Sequence, residues 1–329
     1  MTLGSGALAI GVPTVILAQA PMKRVCGLGR NVGQGLYGYW QEQFPKEFEA
    51  HGFIVGRNLA LQFYDVGKPA GPSTADLRTR AREVVAEMLA TRPDCLFTFA
   101  EPGTRFLQQA TRTIPIVTDV GDPIAEGFAK TLARPGGNIT GLHRGEEVAS
   151  LKTMEILKRV MPELSCVAWV GTDTVIRSAD RLERSARATG LQFRRIVVDT
   201  FGPEREAAVR KEVAALRQQG CAAVQLDVPG AWDYGAWIAF ARELRMALVG
   251  YNEEEDGFLV AYDLARGQEA RSAKRFPAII ARILRGEKPG DIPFEGPSNY
   301  SLTVNLKVAG HLGVKVPPDV LILADRVIR

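Results

Sequence analysis

The sequence has no uninterrupted apolar stretch of the length a bilayer-spanning helix needs, and nothing in it reads as a membrane span. It has no block of lysine and arginine; a formal charge of +4 is spread along the chain, which sets nucleic acid aside as a partner. Histidine is scarce, and His51, His143 and His311 stand alone, so no zinc site is expected. The four cysteines, Cys26, Cys95, Cys166 and Cys221, sit in or beside apolar runs without a CxxC partner. They read as buried free thiols. There is no GxSxG elbow, no phosphate-binding P-loop and no HExxH. With no nucleophile–base pair standing out, no catalytic residue, metal or cofactor is nominated, and a binding protein is favoured over an enzyme.

What is present is a globular composition, 46% hydrophobic and 24% charged. At 329 residues the chain exceeds one ordinary core and suits two domains. Leu8 to Leu17 is apolar or small and ends in Leu17-Ala18-Gln19-Ala20, the form of a secretory signal, so residues 1–20 are expected to be a signal peptide. That implies a periplasmic or secreted protein, although no basic residue precedes the run.

From Arg24 onward short apolar runs alternate with amphipathic helices. Strands are expected at 24–28, 59–65, 95–99 and 114–118, and again at 166–170, 193–198, 222–226, 247–251, 258–262 and 300–306. Alternation of this kind gives a parallel sheet with helices on both faces, and two blocks give two doubly wound lobes. Between them lies Leu132-Ala133-Arg134-Pro135-Gly136-Gly137-Asn138-Ile139-Thr140-Gly141. The residue before a proline is pushed out of the helical region, so Arg134-Pro135 is expected to end a helix. The double glycine then turns the chain, and Asn138 to Gly141 reads as an extended hinge strand.

In doubly wound folds ligands bind beyond the carboxyl ends of the strands. The first-lobe candidates are Arg30 and Asn31 after strand one, Glu101, Gly103 and Thr104 after strand three, and Asp119 and Asp122 after strand four. Asp122 reads as the helix cap of the last two and Asp119 as the ligand group. In the second block the candidates are Thr172 and Asp173, Asp227 and Trp232, and Tyr251 and Asn252; Trp232 and Tyr251 offer stacking surfaces. Glu253-Glu254-Glu255-Asp256 reads as a solvated acidic loop. An alternative takes Gly27, Gly29 and Gly33 as a dinucleotide-binding loop of an NAD(P)-dependent oxidoreductase. Against it, Gly27 falls inside the expected strand, and Asp65 lies too far on for the acidic partner.

The RPGGNITG segment resembles the LxRPGGNxTG stretch of the ABC-transporter substrate-binding proteins with the type I periplasmic-binding fold, a family that includes aromatic amino-acid binders. Gly121-Asp122-Pro123, the Leu151 to Pro162 segment, Leu284 to Pro293, Leu302 to Lys307 through Leu312-Gly313-Val314, and Pro317-Pro318 to Asp325 are similar to it as well. The resemblance implies two lobes joined by three crossings: lobe I over 22–140 plus about 264–297, and lobe II over 141–263 plus about 298–329. Asn138, Thr140, Gly141, Tyr262, Asp263 and Tyr300 would form the hinge. It further implies a monomer that closes on a small molecule, an amino acid or related small organic solute, and presents it to the membrane permease of an ABC importer. Two departures stand out. The loops Ala100-Glu101-Pro102-Gly103 and Gly171-Thr172-Asp173-Thr174 differ from the family's usual ones, and Glu101 puts a negative charge where a ligand carboxylate is expected.

Overall fold

Val25 and Cys26 are both fully buried although their side chains point to opposite faces of one strand. That strand therefore needs a helix layer on each side. The computed structural model describes residues 21–30, 32–33, 35–67, 73–200, 202–227, 233–250, 257–264, 268–297 and 299–329. In the first part β1 (Lys23–Gly29), α1 (Gly35–Ala50), β2 (Leu59–Asp65), α2 (Thr74–Ala90), β3 (Cys95–Phe99), α3 (Ala100–Ala110), β4 (Ile116–Val120) and β5 (Ile139–His143) follow one another. Then come α4 (Glu146–Val160), β6 (Cys166–Thr172), α5 (Ile176–Ala188), β7 (Gln192–Val198), α6 (Pro203–Gln218), β8 (Cys221–Asp227), α7 (Tyr234–Glu243), β9 (Ala247–Gly250) and β10 (Phe258–Leu264). The chain closes with α8 (Gln268–Leu284), β11 (Tyr300–Asn305), α9 (Leu306–Leu312), α10 (Pro318–Leu323) and β12 (Arg326–Ile328).

The strands form two sheets, ordered β2-β1-β3-β4-β5 and β12-β11-β10-β9-β8-β6-β7. The first is parallel throughout. One face packs on α1 and α8 around Trp40, Phe44, Phe97 and Phe276, whose rings lie 5.0 to 6.5 Å apart. The other packs on α2 and α3 through Val84, Met88 and Leu107. In the second sheet Val167 and Trp169 meet α4 and α5, while Ala168 and Val170 meet α6 and α7. This is the expected pair of doubly wound lobes, with one addition: β11 runs antiparallel to β10, so the second sheet is mixed at that edge.

The chain passes between lobes three times: after β5, between β10 and α8, and before β11. Because α8 packs on α1, it belongs with the first lobe although it follows ten strands. Two expectations need correction. Residues 121–138 hold turns and no helix, so Arg134-Pro135 ends none; Pro123, a left-handed Gly127 and Pro135 interrupt any helical run there. Asn138 to Gly141 does not bridge the lobes either. Ile139 to His143 pairs residue by residue with β4, and Gly141, at φ 146°, lies so close to Thr118 that a Cβ would overlap its backbone. The crossing comes later, at Arg144-Gly145.

The cysteine expectation holds for half the set. Cys26 and Cys95 are buried free thiols. Cys166 and Cys221 are disulfide-bonded, because they stand directly opposite one another on the neighbouring strands β6 and β8. Pairing across strands carries no spacing signal in sequence.

Candidate functional site

The β3–α3 junction sets the first-lobe wall of the site. Ala100 adopts φ 66°, unusual for a residue with a Cβ, and turns the chain at once from strand into helix. Gly103 follows from that tightness, since a Cβ there would run into the Thr98 side chain. No side chain caps the start of α3. Instead Glu101 lies in its first turn, where a carboxylate suits the helix dipole, and accepts the Gly121 N–H at 2.5 Å. Asp119, on β4, is fully buried.

Arg144 is the hub. Its guanidinium reaches Glu101 (3.3 Å), Asp119 (3.5 Å) and Glu146 (2.7 Å), donates to the Asp119 carbonyl (3.0 Å), and lies 5.2 Å from the Phe99 ring centroid. Burial opposes its charge, but Glu146, Glu101 and Asp119 more than offset this and hold it protonated. Glu146 also pairs with Arg181 of α5, which bonds Ser150 and Ser178. Burial would raise the Glu146 carboxyl; Arg144 and Arg181 outweigh it and hold the group below the usual carboxylate range. One charge network thus runs from the first-lobe strand ends, through the crossing, into the second lobe.

On the second-lobe side Asp227 ends β8. It accepts from Trp169 Nε1 at 2.7 Å and Gln225 Nε2 at 3.3 Å. Burial pushes its carboxyl up, and the nearby charge of Glu146 adds to this. Thr172 is buried at the end of β6, and Asp173 pairs with Arg78 of α2 in the other lobe. Arg177 of α5 donates to the Ala125 carbonyl at 2.7 Å and lies 3.5 Å from Glu126, which also pairs with Arg105. The lobes therefore touch directly as well as through the crossings.

The crossings are tied together. His143 N–H donates to the Glu295 carbonyl at 3.0 Å, and Glu295 N–H donates to Gly141 at 2.9 Å. Tyr300 OH donates toward the carbonyls of Arg144 and Gly145, each at 3.1 Å, and its ring stacks on Tyr262 at 5.4 Å. Gly145, left-handed at φ 61°, has no room for a Cβ beneath the Tyr300 hydroxyl.

The structure thus gathers Glu101, Asp119 and Asp227 into or against one network, with Asp173 on a direct contact between lobes. Thr104 is turned inward, bonded to Ala100 and to Thr118 at 2.6 Å. Asp122 accepts from the backbone amides of Ile124 and Ala125, but what it holds is a turn and not the helix start expected of it, since no helix follows. Arg30 follows β1, and its Nε is buried without a partner among the described residues. Asn138 and Thr140 hold neighbouring carbonyls, of Ile114 at 2.8 Å and Ile292 at 2.7 Å. Asn31, Trp232, Tyr251 and Asn252 lie outside the described residues, as does the side chain of Asp263. Arg144, Glu146 and Arg181 were missed. Ending the strand at Gly141 concealed that Arg144 follows a strand end, and Glu146 and Arg181 sit on helices, where no strand-end rule applies.

The dinucleotide alternative fails on geometry. Gly27 and Gly29 are inside β1, where a Cβ would strike the rings of Phe97 and Tyr37. They make room for aromatic packing. Tyr37 itself donates to the Leu28 carbonyl at 2.8 Å and accepts from Phe99 N–H, and burial pushes its hydroxyl up to about 12. A separate cavity of about 320 Å³, lined by Ile238, Arg242, Met246, Lys307 and His311, lies at the far end of the second sheet, beside the starts of β9 and β10.

Known proteins agree with this architecture. The crystal structure of an ABC domain in complex with L-Trp from Streptococcus pneumonia is similar over 93% of this chain and 100% of that one, at 17% identity and TM-score 0.72. The ligand-free, open structure of a substrate binding protein with adhesive properties from Clostridium difficile is similar over 93% and 99%, at 20% identity and TM-score 0.59. The tyrosine-binding protein of Clostridioides difficile is 25% identical over 136 residues, which span 41% of this chain and 36% of that relative. Residues 66–328 match the family described as ABC transporter substrate binding protein, and the chain belongs to that family, with the type I periplasmic-binding fold.

Proposed function

We propose that this substrate-binding protein is exported, captures a small organic solute between its lobes without altering it, and delivers it as a monomer to a membrane permease. The observation that carries the reading is the Arg144 network, which draws charged groups from both lobes and their crossing to one place. A solute bound at those strand ends touches both lobes only when they are together, so binding shifts the open–closed population. The Arg78–Asp173 and Arg177–Glu126 contacts support a closed arrangement. The Cys166–Cys221 disulfide supports an oxidising, extracytoplasmic location.

We assign lobe I to residues 22–143 with 268–297, and lobe II to 146–264 with 299–329, hinged at Arg144-Gly145, at the passage from β10 to α8, and before Tyr300. Glu101, Asp119, Asp173 and Asp227 remain the proposed contact residues, with Arg144 and Glu146 added. Native mass spectrometry of protein purified without denaturation tests this reading. It should show a small solute that leaves on unfolding; solute-free protein that closes on nothing in a metabolite extract would contradict it.

A further inference from the structure

One face of α5 carries a charge at every fourth position. Asp173 lies in the single 3-10 turn, Asp173–Val175, that runs straight into the helix. Arg177 and Arg181 follow at intervals of four, so the three stand on one side of the element. Each meets a group outside it. Asp173 pairs with Arg78 of α2, and Arg181 pairs with Glu146. Arg177 donates to the Ala125 carbonyl at 2.7 Å and lies 3.5 Å from Glu126. Arg78, Ala125 and Glu126 belong to lobe I, and Glu146 stands at the crossing.

A further contact extends this row. Ser73, the N-cap of α2, and Thr200, just after β7, stand opposite one another as an isolated antiparallel bridge. β2, which leads into α2, is the edge strand on the side away from β5, and β7 is the edge strand on the side away from β10. The chain crosses between lobes at β5 and β10, so the Ser73–Thr200 bridge closes the mouth opposite the hinge. Groups of the chain itself thus join the lobes at hinge, middle and mouth, and none of these contacts needs a solute. They differ in their access to salt. The Arg78, Asp173 and Arg177 side chains are 37%, 38% and 52% exposed, against 6% for Arg181. Salt screens the pairs that span the lobes and spares the one at the crossing.

We propose that α5 is a latch on the cleft: its Asp173 and Arg177 contacts hold part of the empty population shut and set how fast solute enters and leaves. The inference rests on the solute-capture reading and adds a control that is blind to the identity of the solute. Exchange passes through the open form, so a latch made by the protein alone slows entry and release together and weakens as salt screens it.

The test uses the full chain with spin labels on Ala75 of α2 and Arg194 of β7, exposed positions on the two elements that meet at the mouth. Pulsed dipolar spectroscopy is read on protein emptied by reversible unfolding. Raising sodium chloride from about 0.01 M to about 1 M shortens the screening length from roughly 30 Å to roughly 3 Å. The closed fraction should then fall by about threefold, the change that exposed pairs of this kind support. Arg177→Gln should show the same loss at low salt and respond less to added salt. Arg78→Asp should open the mouth, and Arg78→Asp with Asp173→Arg, which reverses the pair, should close it again. Co-purified solute, followed by native mass spectrometry during dialysis, should leave Arg177→Gln about threefold faster than wild type. A closed fraction unmoved by salt and by Arg177→Gln overturns the latch, as does empty protein that never shows the short distance. Absence of any co-purified solute counts against solute capture instead, and the empty protein still decides the latch. The salt series on the wild-type side chains decides even if a variant does not fold.

Discussion

The two lobes share one strand order and differ in what it holds. β2-β1-β3-β4-β5 in the first corresponds to β7-β6-β8-β9-β10 in the second, with β11 and β12 added at one edge. Both place a cysteine on the first and third strands of the block. In the second lobe Cys166 stands opposite Cys221 and the two are bonded. In the first, Cys95 stands opposite Val25 and Cys26 opposite Leu96, so the thiols point to opposite faces and stay free. A shift of one residue in register decides between a cross-link and two inert side chains. The strand ends differ likewise. The first lobe gathers Glu101 and Asp119 around a guanidinium, whereas the second offers Asp227 held by Trp169 and Gln225. A common frame fixes where ligand groups can stand, and the sequence at each end decides what they are.

The contrast can be broken most severely at the Arg144 hub. Arg144→Met leaves three carboxylates facing one another in a buried place and should cost about 3–5 kcal/mol in urea unfolding, because removing one partner strands the others. A loss below about 1 kcal/mol would mean that the network is solvated like a surface pair. Next comes the disulfide. Cys166 and Cys221 are 55 residues apart, so loop closure predicts that Cys166→Ala loses about 4 kcal/mol. Cys26→Ala, which deletes one buried sulfur, should lose only about 1 kcal/mol. Dithiothreitol should lower the melting temperature of the wild type and leave Cys166→Ala unmoved.

The pH dependence sharpens the picture of Glu146. Its carboxyl is held below its ordinary value, so its contribution is complete above the unfolded-chain value and is lost as pH falls through the folded one. The melting temperature of Glu146→Gln should therefore trail the wild type at neutral pH, and the gap should narrow once pH falls below the ordinary carboxylate value and close below the lowered folded one. A gap that persists there would show that the carboxylate charge is not what matters. The smallest effect on stability is expected at the direct lobe contact. Arg78 and Asp173 are 37% and 38% exposed, so Arg78→Ala should cost under about 1 kcal/mol. It should nevertheless shift solute-free protein toward the open form, seen as a larger radius of gyration in solution scattering.

Most of the fold was legible because alternation of strand and helix survives in a soluble α/β chain. Trp40, Phe44 and Phe48 repeat at helical spacing, and the buried strands are short apolar runs. The charge network at the candidate site was half legible. The strand-end rule located Glu101, Asp119 and Asp227 without seeing their partners. Arg144 escaped because Gly141 looked like a break, when its missing side chain in fact lets β5 lie close against Thr118. Arg181 reaches the network from a helix face, and only the tertiary fold brings α5 alongside α4. The disulfide was hidden for the same reason, since register between strands is set by packing across the sheet.

The central claim is that two lobes close on a solute at the strand ends, and the distance between the lobes tests it most directly. Spin labels at Gln109 on α3 and Ala188 on α5, both exposed, report that distance by pulsed dipolar spectroscopy. Protein stripped by reversible unfolding should give a broad, longer distribution that narrows and shortens when the solute recovered from native protein is restored. A distribution that is the same with and without that solute would contradict the account.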